Sequence, residues 1–186
     1  CSATFSATAT THGADTLGPV VMRSASVLGP NNVELKWADI IDPELAYYRI
    51  YRMDNSTGNF NLIHTSYSII PVNPDVYQAW VDHATTTSSK TNTYLVQAVN
   101  TCGLAAPLNA HTPHTTVNLE VNTASSTPTL QWNSYGGAST SGYLVQRMDE
   151  PNAPWTNLTV VPASVNMYVD SSVYCSDSVS YRITAL

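Results

Sequence analysis

Short runs in which apolar and polar residues alternate recur along the chain. Between positions 33 and 37, Val33, Leu35 and Trp37 share one face and the charged residues between them share the other. This period of two predicts a half-buried β-strand. The runs are rich in β-branched and aromatic residues and are separated by turn-forming segments, among them 29–32, 55–58 and 135–137. The pattern therefore predicts an all-β protein.

The alternation locates thirteen strands. In the first half of the chain the predicted strands are 19–28, 32–38, 46–53, 60–66, 77–82, 92–100 and 103–110. In the second half they are 115–122, 128–133, 141–148, 155–160, 166–170 and 179–186. Seven short strands in about 95 residues, with a turn between each pair, are typical of an immunoglobulin-like β-sandwich.

The chain repeats itself. The same interval of 95 residues separates Trp37 from Trp132 and Arg52 from Arg147. An aromatic-Val-Asp step at 80–82 recurs 88 residues later, and a segment that begins with Tyr94 recurs 87 residues later. Four landmarks in the same order at a nearly constant interval indicate two copies of one unit.

The phase of the repeat predicts the domain boundaries. Cys102 and the apolar-polar alternation after it end the first unit. The chain begins with a similar pattern, in which Cys1 and a small residue precede apolar-polar alternation. We therefore expect residues 1–12 to be the last strand of a preceding repeat and 13–112 to be a complete repeat. Residues 113–186 are expected to be a second repeat that lacks its last strand, which would leave an open sheet edge.

Particular residues carry a family resemblance. A Trp ends the second strand of each unit and a Tyr stands in the sixth, without the Cys…Trp…Cys spacing of disulfide-centred immunoglobulin domains. The segments 37–52 and 94–103 complete a pattern that resembles fibronectin type III domains. It is similar to tandem repeats in large surface proteins of gliding bacteria, which often precede a gliding motility-associated C-terminal domain used for type IX secretion.

The resemblance covers nearly the whole chain and implies both fold and role. It implies tandem fibronectin type III-like, immunoglobulin-like β-sandwiches in an exported protein on the exterior of the outer membrane. The role it implies is that of a non-enzymatic structural or adhesion module. The expected partners are neighbouring repeats of the same polypeptide, with surface proteins or glycans as further candidates.

Composition excludes several other classes of protein. Of the 186 residues only 11% are charged, and the net charge is −6 with seven Lys and Arg residues. This acidic balance argues against binding to nucleic acid or to anionic membrane surfaces. No run of apolar residues is long enough for a transmembrane helix. The N-terminus lacks the basic and apolar regions of a signal peptide, so an export signal would lie outside this chain.

The three cysteines are predicted to form no disulfide within the chain. In the repeat, Cys1 and Cys102 stand at equivalent places one domain apart, which exceeds the reach of a disulfide. Cys175 falls in a loop at the opposite end of its sandwich. The alternatives are free thiols or partners outside this chain. A different interpretation makes Cys1 the lipidated first residue of a mature lipoprotein.

Two groups of residues offer metal-binding side chains. His111 and His114 cluster in the predicted linker, but no Cys pair or carboxylate accompanies them, so we expect surface imidazoles and no zinc. The oxygens of Asp39, Asp42 and Glu44 would suit calcium. An Asp before a Pro, however, is more typical of a capped turn. The sequence therefore predicts no metal site.

No catalytic constellation is present. The chain has no Gly-rich phosphate loop, no Ser-centred elbow and no spaced carboxylate pair, so we predict neither a catalytic residue nor a cofactor, and no enzyme activity. Tyr77, Trp80, Trp155 and Tyr168 would either stack on sugar rings or pack within the sheets. The alternative function is therefore that of accessory or carbohydrate-binding repeats of an exported polysaccharide-degrading enzyme or of a surface lipoprotein.

The bacterial resemblance also implies a modification. Such bacteria O-glycosylate Asp-Ser/Thr-apolar motifs on exported proteins, and this chain contains Asp15-Thr16-Leu17 and Asp177-Ser178-Val179. The candidate acceptors are Thr16 and Ser178.

Overall fold

The structure, a computed structural model, describes residues 15–67, 77–85, 90–123, 127–173 and 178–186. In these residues the chain forms antiparallel strands and one short 3-10 helix, η1 at Leu108–Ala110. The strands of the first half are β1 Met22–Gly29, β2 Asn32–Ala38, β3 Leu45–Met53, β4 Phe60–Ser66, β5 Tyr77–Asp82, β6 Thr93–Asn100 and β7 His114–Thr115. Those of the second half are β8 Leu119–Asn122, β9 Thr129–Trp132, β10 Gly142–Met148, β11 Thr156–Pro162, β12 Met167–Val169 and β13 Ser180–Ala185.

Strands β1 to β7 form two sheets with a shared core. One sheet has the order β1-β2-β5 and the other the order β4-β3-β6-β7. The fourth strand pairs with the third rather than with the fifth, which is the fibronectin type III arrangement of the immunoglobulin-like sandwich. The alternation read from the sequence is present: Val33, Leu35 and Trp37 are fully buried between the sheets, and Tyr48 and Ile50 meet them from β3.

Strands β8 to β13 form a second, smaller sandwich. Its sheets have the orders β8-β9-β12 and β11-β10-β13. Its core is built on Leu130, Trp132, Tyr143 and Val145, with half-buried side chains packed around them. Trp37 belongs to the first core and Trp132 to the second. The repeated sequence thus forms two β-sandwiches, each with its own core.

The two sandwiches differ at the sheet edge beside their sixth strands. All eight residues of β6 are buried, and β7 pairs with its N-terminal end. Strand β13 alternates between exposed and half-buried residues, and in the described part of the chain it pairs with β10 alone. Among the described residues, no strand therefore covers the outer edge of β13, whereas β7 covers the corresponding edge of β6.

Most strand bounds follow the alternation. Strands β2, β4 and β5 have the predicted bounds, and β3, β6 and β9 to β13 differ from prediction by one or two residues at an end. Strand β1 begins three residues later than predicted. The strand expected at residues 1–12 lies outside the described residues.

The predicted strand at 103–110 was wrong. After β6 the side chain of Asn100 accepts hydrogen bonds from the backbone N–H groups of Cys102 and Leu104, which closes a tight turn. Beyond it, Pro107 has no N–H to give to a ladder. Gln97 instead donates its side-chain amide to the carbonyl of Ala106 at 2.7 Å, in place of backbone pairing. The chain then continues through η1, and strand pairing resumes only at β7.

The predicted strand at 115–122 was also wrong, because it is divided between two sheets. His114 and Thr115 pair with Tyr94 and Thr93 in the first sandwich. Residues Leu119–Asn122 form β8 in the second sandwich. We call residues 111–118, which contain β7 and lead from one sandwich to the other, the crossing segment.

Replacing Trp132 by Ala tests the independence of the two cores. Removal of this indole should destabilise the second sandwich by about 3–5 kcal/mol, since it leaves a large cavity. The amides of Ile50 and Val96 in the first core should keep their hydrogen-exchange protection. Simultaneous loss of protection in both sandwiches would show a single cooperative core.

Candidate functional site

A buried carboxylate joins the two sheets of the first sandwich. Asp82 ends β5 and is 3% exposed. One of its oxygens lies 2.6 Å from the Arg52 guanidinium of β3 and accepts a hydrogen bond from the Tyr94 hydroxyl of β6 at 3.0 Å. Its other oxygen accepts the backbone N–H of Ala84 at 3.0 Å. A strand end of one sheet is thereby tied to two strands of the other.

The second sandwich builds the same arrangement. Asp170 follows β12 and is 1% exposed. It lies 2.8 Å from the guanidinium of Arg147 on β10 and accepts a hydrogen bond from the Tyr181 hydroxyl of β13 at 3.0 Å. The backbone N–H of Ser172 donates to its other oxygen at 3.0 Å. These are the landmarks that revealed the sequence repeat.

The surroundings of Asp170 and of the two tyrosines shift their pKa values. Burial works to raise the pKa of Asp170, but the hydrogen bonds from Ser172, Arg147 and Tyr181 outweigh it, so its pKa lies below the usual range. Burial and the neighbouring carboxylate raise the pKa of Tyr94 and of Tyr181. Each carboxylate oxygen is occupied by groups of its own sandwich. The arrangement is suited to holding sheets together and offers no open position to a substrate.

A second repeated pair fills each core. The rings of Trp37 and Tyr48 meet edge to face at 5.5 Å, and those of Trp132 and Tyr143 do so at 5.7 Å. The Tyr48 hydroxyl accepts the backbone N–H of Ile40 at 2.8 Å, and Tyr143 accepts an equivalent N–H in the loop after β9 at 2.9 Å. Burial raises the pKa of Tyr48.

Tyr135 connects the two sandwiches. Its backbone lies in the loop after β9, its ring packs against the second core, and its hydroxyl reaches the first sandwich. The hydroxyl accepts the backbone N–H of Ala25 in β1 at 3.0 Å and lies 2.7 Å from Nδ1 of His114. Burial raises the pKa of this hydroxyl. One phenol thus bonds to an edge strand and to the crossing segment at once.

Two glycines let the crossing segment approach closely. Thr115 and Gly136 exchange backbone hydrogen bonds of 3.0 and 3.3 Å. Gly137 has a φ of +105°, and a Cβ there would lie 2.3 Å from Cδ2 of His114. A larger residue would therefore collide with the imidazole as well as strain the backbone. The corresponding residues of the first unit, 95 positions earlier, are Ile41 and Asp42.

The expectation that His111 and His114 are surface imidazoles was wrong. They are 7% and 2% exposed. Nδ1 of His111 accepts the backbone N–H of Val20 at 3.3 Å, and the His114 ring packs against Tyr135 and Gly137 in the loop of the second sandwich. Because burial disfavours the charged ring, it lowers the pKa of both imidazoles. The first sandwich buries His111, and the loop of the second sandwich covers His114, which the sequence around a linker does not reveal. We call Val20, Ala25, residues 111–116 and Tyr135–Gly137 the junction.

The acidic loop after β2 is a set of turn contacts. Asp42 accepts the backbone N–H of Glu44 at 2.8 Å, which confirms the predicted turn cap. Asp39 accepts the Tyr48 hydroxyl at 2.6 Å. In the ranges that the structure describes, no group of three His, Cys, Asp or Glu side chains is placed to hold a metal ion.

The four aromatic residues considered for sugar stacking lie apart. Trp80 stacks on His64 at 4.6 Å, and Tyr168 packs against the second core. The Arg182 guanidinium lies 4.4 Å from the centroid of Trp155. Tyr77 is the exposed member of the four, at 53%. They do not form one binding surface.

Sequence reasoning missed a different aromatic strip. On the outer face of β3, the ring of Tyr47 lies 5.9 Å from that of Tyr67 and 5.5 Å from the guanidinium of Arg49. Two residues further along, the Tyr51 hydroxyl donates to the Gln97 side chain at 3.0 Å. We call Tyr47, Arg49, Tyr51 and Tyr67 the tyrosine strip. The available signal was the presence of bulky side chains on both faces of β3.

The remaining candidate residues lie on the surface or outside the described ranges. Cys102 is exposed and forms no disulfide, while Cys1 and Cys175 lie outside the described residues, so the pairing prediction stays a prediction. Thr16 and Ser178 are both exposed. Asp177 of the second glycosylation motif lies outside the described residues.

Known proteins were compared with the chain by family, by sequence and by structure. No family model and no curated protein matches the chain. A solved structure that does match is the crystal structure of the FN1-FN3 domains of chicken CNTN1, at 11% identity and a TM-score of 0.37. The match covers 91% of this chain and 62% of that one. Within the described residues no helix has the length and apolar character needed to cross a bilayer.

Replacing Asp170 by Asn tests the sheet-joining carboxylate. The change leaves the half-buried Arg147 without its buried partner and should destabilise the second sandwich by about 3 kcal/mol. Since the pKa of Asp170 is lowered on folding, its contribution is present above about pH 3.9 and is lost as the pH falls through its native pKa. Urea unfolding at neutral and acidic pH measures both effects.

Asp149 provides the matched control for that experiment. It also pairs with Arg147 but is 54% exposed, so Asp149→Asn should change stability by less than about 1 kcal/mol. Equal effects of the two substitutions would contradict a special role for the buried carboxylate.

Proposed function

We propose that this chain is a non-enzymatic structural or adhesion module, part of a rod-like string of β-sandwich repeats in an exported bacterial cell-surface protein. The junction carries this proposal. A flexible tether between domains leaves their orientation free. Here the crossing segment is itself a strand of the first sheet, and Tyr135 of the second sandwich bonds to β1 of the first. Such docking supports a module in which each domain adds length to the string and is held in a fixed orientation to the next.

Further contacts bind the crossing segment to the first sandwich. The backbone N–H of Thr116 donates to the carbonyl of Asn92, and the N–H of Asn92 donates to the Thr116 hydroxyl, both at 3.0 Å. The hydroxyls of Thr93 and Thr115 lie 2.9 Å apart. The first sandwich therefore holds the linker through side chains as well as through the β7 ladder.

The finer identity rests on the sequence resemblance. We infer that the parent protein belongs with the large surface proteins of gliding bacteria that use type IX secretion, and that its repeat boundaries fall at 12/13 and, in place of the predicted 112/113, between β7 and β8. Neighbouring repeats of the same polypeptide are then its first partners. Thr16 and Ser178 are the proposed acceptors of O-linked glycans, a role that their exposure permits.

Residual dipolar couplings of the 186-residue chain at neutral pH test the rod. We expect one alignment tensor to describe both sandwiches, because the junction holds them in one orientation. Gly137→Ala should give two different tensors, since its Cβ would collide with His114. Gly58→Ala is the matched control, because Gly58 also has a positive φ, +73°, but its Cβ would meet no atom within 4 Å. Two independent tensors in the unaltered protein would contradict a rod.

The tyrosine strip favours one alternative, that of carbohydrate-binding repeats of an exported polysaccharide-degrading enzyme or surface lipoprotein. Its rings lie on a sheet face, and Tyr67 is 72% exposed. Aromatic faces provide apolar area for the C–H groups of a sugar ring, and the Arg49 guanidinium would pair with a carboxylate. The ligand chemistry that suits this strip is a uronic-acid polysaccharide.

Affinity electrophoresis in alginate, a uronic-acid polymer, tests the alternative. Alginate should retard migration of the unaltered chain. In Tyr67→Ala the affinity calculated from the retardation should fall about tenfold, because a stacking surface is lost. Tyr77→Ala removes an exposed tyrosine of the other sheet and should leave retardation unchanged. Equal migration with and without alginate would exclude this ligand class.

A further inference from the structure

The junction holds two histidines whose protonation conflicts with its hydrogen bonds. A backbone N–H can only donate, so Nδ1 of His111 must present its lone pair to Val20. Protonation of that nitrogen would place two N–H groups against each other. The contact between linker and first sandwich therefore requires a neutral ring at His111.

His114 is confined more tightly. Its ring is 2% exposed and lies edge-on to Tyr135, with centroids 5.6 Å apart. The other side is filled by the Gly137 backbone, which leaves no space even for a methyl group. A charge on this ring would be buried without water. Both histidines thus sit where the closed junction excludes the charged form.

One neighbouring group favours the charged form of His111: a hydrogen bond to the Ala106 backbone raises its pKa, but burial outweighs this effect. Tyr135 is the titratable group in contact with His114, and it is neutral at physiological pH. Across the ladder, Tyr94 is bonded to Asp82, whose carboxylate is paired with Arg52. The groove beside Tyr135 is lined by the cationic Arg23 and Arg182. In the described residues no carboxylate forms an ion pair with either imidazole.

We propose that His111 and His114 form an acid-sensitive latch, which holds the two sandwiches together while both rings are neutral and releases them when the rings are protonated. The sandwiches remain folded on release, because neither ring belongs to the apolar cluster of Trp37 or of Trp132. Acid therefore converts a fixed orientation into a flexible connection. The proposal is independent of where the protein resides.

The direction of the pH dependence follows from linkage. Burial lowers the pKa of both histidines in the closed junction, so the open form binds more protons. The latch is at full strength above about pH 6.5 and weakens as the pH falls from there toward the lowered values. For each pKa unit by which the closed junction lowers the pKa of a histidine, acid increases the equilibrium constant for opening by up to about tenfold.

Amide hydrogen exchange followed by NMR tests the latch in the unaltered chain. After correction for intrinsic rates, the protection of Ala25 and Gly136 should fall by about tenfold or more between about pH 7.5 and about pH 5. The amides of Ile50 and Val145 in the two cores should keep theirs. The ring signals of His111 and His114 should titrate below about pH 6.5, in step with this loss.

A double variant separates the histidines from other titrating groups. His111→Gln with His114→Gln cannot be protonated in this range, so the protection of Ala25 should become independent of pH. His83→Gln is the matched control, since His83 is exposed and bonds to Asn32 at 2.9 Å. It should retain the full pH dependence. Constant protection of Ala25 in the unaltered chain, or titration of both rings at the usual value, would overturn the proposal.

Discussion

Each sandwich depends on a buried carboxylate that must be satisfied on every side. An isolated charge in a protein interior is costly. Burial of Asp82 and Asp170 is tolerated because an Arg, a Tyr and a backbone N–H contact each carboxylate. The Asp comes from one sheet and the Arg and Tyr from the other. The requirement therefore fixes how the sheets meet at one end of the core, and the Trp–Tyr pair fills the space behind it.

The same requirement explains the repeat in the sequence. Arg, the aromatic-Val-Asp step and Tyr recur at nearly constant intervals because the three side chains function as one unit, and loss of any member would leave a buried charge or hydroxyl without its partner. Intervals between these landmarks vary by a few residues, since the loops that separate them bear no such constraint. The repeated residues therefore serve packing, and residues with a function specific to one sandwich are expected where the two copies differ.

The copies differ most clearly in the loop after the second strand. In the first sandwich this loop carries Asp39 and Asp42 and forms turn contacts. In the second, Tyr135, Gly136 and Gly137 occupy it and dock onto the linker. The loop that forms turn contacts in the first sandwich is thus a connector in the second. The close contacts of its glycines with His114 and Thr115 make the orientation of the sandwiches depend on local packing instead of on linker length alone.

The sequence by itself determined the strands, the two-copy organisation and the core residues, because alternation and cross-strand packing are local properties of a β-strand. It missed the course of residues 103–118, where the side chains of Asn100 and Gln97 replace a backbone ladder. It also missed the burial of His111 and His114. Two polar rings around Pro113 have the composition of an exposed linker. Only the approach of the first sandwich to His111, and of the second to His114, withdraws these rings from water. That approach depends on contacts between residues far apart in the chain, which no local pattern encodes.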